Sequence, residues 1–175
     1  MSPNTKVYIG GTITRKQFNE LLELLESCEF LGLLKNKSKQ GESWTCSINE
    51  AIKQASSQGD PLCVTCYGME KPSAVLTAIA AMGLHYRLEV EDTRDLMFVW
   101  TYIDGQEASG SVLDGDPIVS EEAVRKAHES SKIPDIIKNM ERLSMLPEAF
   151  VVLESAREQL AHEKNKKNTR SKAQK

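Results

Sequence analysis

The 175-residue chain is expected to fold as an α+β protein, with a mixed or antiparallel sheet, helices packed on one face, a helical C-terminal part and a disordered basic tail. Three observations predict this. Short apolar runs alternate with helical stripes up to about residue 83, strand-like segments then follow one another to about 113, and helix caps dominate after 120.

The elements can be justified in order. A first strand is expected at about 6–10, ended by Gly10-Gly11. Thr14 and Gln17 fit a capping box, in which hydroxyl and amide each satisfy an exposed backbone N–H. Ile13 and Phe18 are placed for a hydrophobic staple, and Phe18, Leu21, Leu22 and Leu25 share one helical face that stops near Ser27. Residues 35–43 read as a polar loop. Ser47 and Glu50 form a second box before the stripe Ile48, Ala51, Ile52 and Ala55, and Gly59 supplies the stop. Leu62–Tyr67, between Pro61 and Gly68, reads as a buried strand. Pro72 suits the first turn of a helix running through Val75, Leu76 and Ile79 to Gly83.

Over 84–91 the apolar Leu84, Tyr86, Leu88 and Val90 alternate with His85, Arg87, Glu89 and Glu91, a period of two that marks one dry and one wet face. Residues 92–95 read as a turn, and the continuously apolar Leu96–Ile103 as a central strand. Asp104-Gly105 is a hairpin signal because both turn positions need positive φ, and a third strand is expected at about 106–113. Ser120 caps a helix opening on Glu121 and Glu122. Pro134 and Pro147 each mark a further helix start, the last helix covering about 147–163 with Phe150, Leu153 and Leu160 on one side. The expected organisation is one α+β domain over 1–163, with 120–163 as a candidate helical subdomain, and a tail at 164–175. A body of this size buries roughly 70% of its unfolded surface and needs no disulfide or metal staple.

Charge is distributed unevenly. Residues 89–122 hold ten carboxylates (at 89, 91, 92, 95, 104, 107, 114, 116, 121 and 122) against Arg94 alone, a net −9 within a chain whose total is −3. Residues 164–175 carry six bases and no acid. That tail lacks the apolar residues needed to order itself. With no leader-like segment at the start and no apolar run near the roughly 20 residues of a bilayer span, a cytoplasmic protein with reduced thiols and no membrane contact is expected.

Motifs for chemistry are sparse. Cys63-Val-Thr-Cys66 lies inside a strand, where positions three apart face opposite ways, so buried structural thiols are expected rather than a redox pair. A zinc site completed by Cys28, Cys46 or His85 lacks a second close pair. Gly10-Gly11 has the spacing of neither a P-loop nor a dinucleotide fingerprint. His85, His128 and His162 are scattered, and Asp114-Gly-Asp116 opens like a calcium loop but has Arg125 where the closing glutamate belongs. No catalytic residue, metal or cofactor is assigned. The order strand–helix–strand–helix–hairpin, with Val7-Tyr8-Ile9-Gly10 at its start, resembles the small Alba-type nucleic-acid-binding proteins in topology alone, over residues 5–105, without their basic body.

The leading expectation is a non-enzymatic interaction or regulatory protein of inhibitor or adaptor type. It docks a basic protein partner, a nucleic-acid-binding cleft being one such surface, through Glu89, Glu91, Asp92, Asp95, Asp104 and Glu107. The alternative is a nucleic-acid-associated protein whose Lys164, Lys166, Lys167, Arg170 and Lys172 contact phosphates. A small enzyme assembled around Gly10-Gly11 and Cys66 is the third reading.

Overall fold

A computed structural model describes residues 4–27, 55, 58–67, 73–91 and 95–153. The elements run β1 (Asn4–Thr14), α1 (Arg15–Ser27), β2 (Leu62–Tyr67), α2 (Ser73–Ala81), β3 (His85–Glu91), β4 (Leu96–Ile103), β5 (Gln106–Leu113), β6 (Asp116–Ile118), α3 (Glu121–Glu129), α4 (Ile133–Leu143) and β7 (Phe150–Leu153). The architecture is α+β. Six strands form an antiparallel sheet in the order β2-β1-β3-β4-β5-β6, and β7 pairs in parallel with the far end of β1.

Local chemistry sets most boundaries. At the start of α1 the Thr14 N–H donates to Gln17 Oε1 at 3.0 Å and the Gln17 N–H to Thr14 Oγ1 at 3.3 Å, the reciprocal capping box. Ile13 and Phe18, the staple pair, are both buried. Asp104 (φ 53°) and Gly105 (φ 74°) turn β4 into β5, and Asp114 (φ 52°) and Gly115 (φ 91°) repeat the device into β6. The Ser120 hydroxyl accepts from the Ala123 N–H at 3.2 Å to start α3, and Pro134 lies in the first turn of α4. The second capping box, at Ser47 and Glu50, lies outside the described residues.

The register assigns each residue to a face. On β1, Val7 and Ile9 lie beside Leu88 and Tyr86 of β3. These pack with Phe18, Leu21 and Leu25 of α1 and Val75, Leu76 and Ile79 of α2 in the main core. Helices α1 and α2 thus share one face over β2, β1 and β3, called here the α1 face. The C-terminal helices take the other side of the other half. Val99, Ala108 and Val112, on the opposite face of β4 and β5, form a second core with Leu143 of α4. On this α4 face a Cβ at Gly110 would come within 2.7 Å of Leu143 Cδ1, so glycine there lets the helix close on the sheet.

Three expectations need correction. The helix expected over 147–163 is a strand where described: β7 lies against Gly11–Thr14, and Phe150 enters the main core from it. Pro147 begins no helix. It packs on Gly10, where any Cβ would overlap the Glu148 carbonyl and the Pro147 ring. Accordingly β1 does not stop at the glycines but runs through them to Thr14, pairing with β2 and β3 before Gly11 and with β7 from there on. The polar side of β3 is not wet, since Arg87 is buried beneath the end of α4.

A strand at β7 makes adjacent residues unequal, because their side chains leave on opposite faces. Phe150→Ala should lower stability by about 3–5 kcal/mol in urea titration, whereas Val151→Ala, at a position 40% exposed, should stay within about 1 kcal/mol.

Candidate interaction surface

The α1 face of β4, β5 and β6 is covered by no helix among the described residues. Register lays its side chains in rows across the strands. Leu96, Leu113 and Asp116 form the first row, and Phe98, Ser111 and Ile118 the second. Trp100 and Ser109 form the third, Tyr102 and Glu107 the fourth. Phe98, Leu113 and Ile118 are each at least 40% exposed. Phe98 leans on Trp100 with ring centroids 6.4 Å apart, and Tyr102 stacks on Tyr86 at 5.8 Å. A shallow cavity of about 200 Å³ opens beside Trp100, Glu107 and Ser109. The result is an aromatic ridge along β4, a trough of serines along β5 and an aliphatic rim at β6.

The carboxylates fall at the two ends of this strip. Asp95, Asp114 and Asp116 cluster at one end, where the Asp114 N–H donates to the Asp95 carbonyl at 3.0 Å, and the half-buried Glu91 ends β3 there. Asp104 and Glu107 lie at the other end, the length of β4 away, roughly 27 Å for eight residues at ~3.4 Å each. The six acids expected to form one patch are therefore divided. Glu89 leaves the set altogether: it lies on the α4 face with its side chain 13% exposed and accepts from Arg87 Nε at 2.7 Å. Asp92 and the tail residues Lys164, Lys166, Lys167, Arg170 and Lys172 lie outside the described residues. Asp114, Asp116 and the exposed strip itself were not among the expected docking residues. Their sequence signal was an aromatic at every second position of β4 facing Ser109 and Ser111 on β5.

On the α4 face, Arg87 is 6% exposed and donates to the Leu143 carbonyl and, at 3.3 Å, to the Met145 carbonyl. Tyr8, next to Arg87 on one side and Cys63 on the other, has its hydroxyl pushed up to about 12 by burial first, then by the Glu89 charge, which also takes its hydrogen bond. Burial likewise raises Tyr86, with the Glu107 carboxylate and Tyr102 adding to it. His85 accepts from the Asp104 N–H at 3.4 Å and has Glu148 Oε1 3.9 Å from its Nδ1. This ties the β4–β5 turn to the loop before β7.

The motif candidates disperse. Position 63 pairs with Tyr8 and position 66 with Thr5, on opposite faces of the sheet. Cys63 is exposed rather than buried as expected, because its face of β2 is the one away from the main core. No group of three or more potential metal ligands occurs among the described residues. Gly10 is occupied by the Pro147–Glu148 backbone, which leaves no room for a phosphate, and Asp114-Gly-Asp116 is the β5–β6 turn. A cleft of about 510 Å³ between α3 and α4 is lined mainly by apolar atoms of residues such as Ala127 and Ile136. No helix among the described residues is long and apolar enough to cross a membrane. No family model, no curated protein and no solved structure matches the chain, so the topological resemblance to Alba-type proteins gains no support from relatives.

A raised tyrosine means the folded chain holds a proton that the unfolded chain releases near pH 10. The stability this contributes is complete below pH 10 and is lost as pH rises toward about 12. Urea midpoints over that window should fall less steeply for Tyr8→Phe than for the native chain. Glu89→Gln should bring the Tyr8 tyrosinate absorbance in at lower pH.

Proposed function

We propose that the protein acts by binding rather than by catalysis, as an interaction or regulatory protein that docks a basic protein partner on its acidic β-hairpin region. One observation carries this reading. Within 89–122, Asp95, Glu107, Asp114, Asp116 and Glu121 are exposed, and no basic side chain of the described residues pairs with them. Only Glu89, Asp104 and Glu122 have such partners there: Arg87, His85 and Lys126. Uncompensated charge of one sign speeds encounter with the opposite sign and rejects like-charged partners more than it adds affinity. The Asp95, Asp114 and Asp116 end is the stronger half, because three exposed carboxylates belong to backbone brought together there by the Asp114 N–H to Asp95 carbonyl bond and the β5–β6 pairing.

The decisive comparison is capture from native host lysate with the full chain and with Asp95→Lys/Asp114→Lys/Asp116→Lys. Glu89 is left unchanged because reversing it would strand the buried Arg87. The reading expects a protein that survives nuclease treatment, weakens as salt rises and is lost with the triple reversal. Undiminished capture by the reversed chain discards it. Nuclease-sensitive recovery that disappears when residues 164–175 are removed would assign the binding to the basic tail and nucleic acid instead.

A further inference from the structure

The open half of the α1 face has the shape and chemistry of a missing helix site. On the other half of this face α1 and α2 already cover β2, β1 and β3, burying Val7, Ile9 and Leu88. Over β4 to β6 the same face continues without a described helix, yet its residues are not those of a solvated sheet: Phe98, Leu113 and Ile118 stand 40–42% exposed beside Trp100. Monomeric proteins rarely leave a contiguous apolar strip uncovered unless it is used. We propose that this strip receives an amphipathic helix from a partner protein, with an apolar stripe set on Phe98, Leu113 and Ile118 and lysine or arginine at both of its ends.

The choice of occupant follows from charge and length. Glu107 closes the strip at one end and Asp116 at the other, so a segment lying along β5 meets carboxylates at both ends and, between them, a serine trough flanked by Phe98 on β4 and by Leu113 and Ile118 at the rim. From Glu107 to Leu113 the strand rises roughly 20 Å, which a helix of about 14 residues spans. A second copy of this chain fits poorly, because stacking two such faces would set Glu107 and Asp116 of one against acids of the other. Strand addition is disfavoured as well: Asn139 Nδ2 donates to the outward Ser109 carbonyl at 3.2 Å and occupies the free edge of β5.

This inference rests on the acidic docking reading and adds the apolar contact and the helical form of the ligand. The test uses the full chain, isotopically labelled, and three synthetic peptides of one length: a helical leucine–lysine peptide, a leucine–glutamate counterpart and a lysine–serine peptide. The leucine–lysine peptide should shift amides of β4, β5 and β6. Phe98→Thr/Leu113→Thr/Ile118→Thr, which keeps strand-compatible residues, should weaken it by about tenfold or more, with the thermal melt unchanged. If the triple variant melts lower, Ile118→Lys alone, on the edge strand, should give the same loss. Equal binding by the threonine variant, equal binding of the leucine–glutamate peptide, absence of any binding or shifts confined to other surfaces would each overturn the proposal. So would a concentration-dependent dimer that the threonine variant abolishes. Loss of binding with the charge reversal alone would retain the acidic reading and remove the helix site. Loss with the threonine variant alone would retain the helix site and remove the acidic reading.

Discussion

Arg87 fixes which face of the sheet the C-terminal helix covers. Its guanidinium lies at the centre of the sheet, 6% exposed, and engages Glu89 together with the Leu143 and Met145 carbonyls. Withdrawing a charge from water costs several kcal/mol unless partners and hydrogen bonds surround it. The last carbonyls of a helix are suited to that task, being unpaired and at the negative end of its dipole. Satisfying Arg87 therefore requires the end of α4 to sit on this face and over β3. Leu143 then lands on Gly110, Val99 and Val112 and closes the second core.

Among the described residues, cover on the sheet is consequently diagonal. Helices α1 and α2 dry one face of the β2-β1-β3 half, and α4 dries the opposite face of the β4-β5 half. Antiparallel sheets tolerate one face in water, since their alternation can make it polar. Here β5 follows that rule from Glu107 to Ser111, with Ser109 and Ser111 outward and Ala108 and Val112 inward, and breaks it at Leu113, while β4 keeps Phe98, Trp100 and Tyr102 on its outer side. Trp100 and Tyr102 earn partial cover from the main core, and Phe98, farthest along, has 40% of its surface exposed.

What was legible in the sequence was local. Capping at Thr14 and Ser120, the Asp104-Gly105 turn and the limits of β2, β4 and β5 each follow from a few neighbouring residues, and each is found where expected. The failures are all long-range. Phe150 and Leu153 suit a helix stripe as well as a strand, and only the neighbouring Gly11–Thr14 segment decides between them. Gly10 looked like a stop, whereas its lack of a side chain serves contact with Pro147–Glu148, more than 130 residues away along the chain. Arg87 occupied an alternating polar position whose burial depends on α4. The carboxylate cluster was correct as a count and misleading as a shape, because hairpin strands separate acids that are close in sequence.

The same separation bears on whether an exposed apolar strip joins copies of the chain. Exposed aromatics invite self-association, and exposed strand edges invite pairing. Acids at both ends of the strip oppose any arrangement that stacks it on itself, since each end would meet its own sign. At the edge, β6 covers only Ser111–Leu113 of β5, and the remainder is guarded by Asn139 on the Ser109 carbonyl and by the charge of Glu107. Asn139 opposes any added strand, whereas the acids oppose like charge and attract a positively charged apolar segment. On the proposed reading the carboxylates select as they repel, opposing a copy of the same surface and drawing the opposite charge.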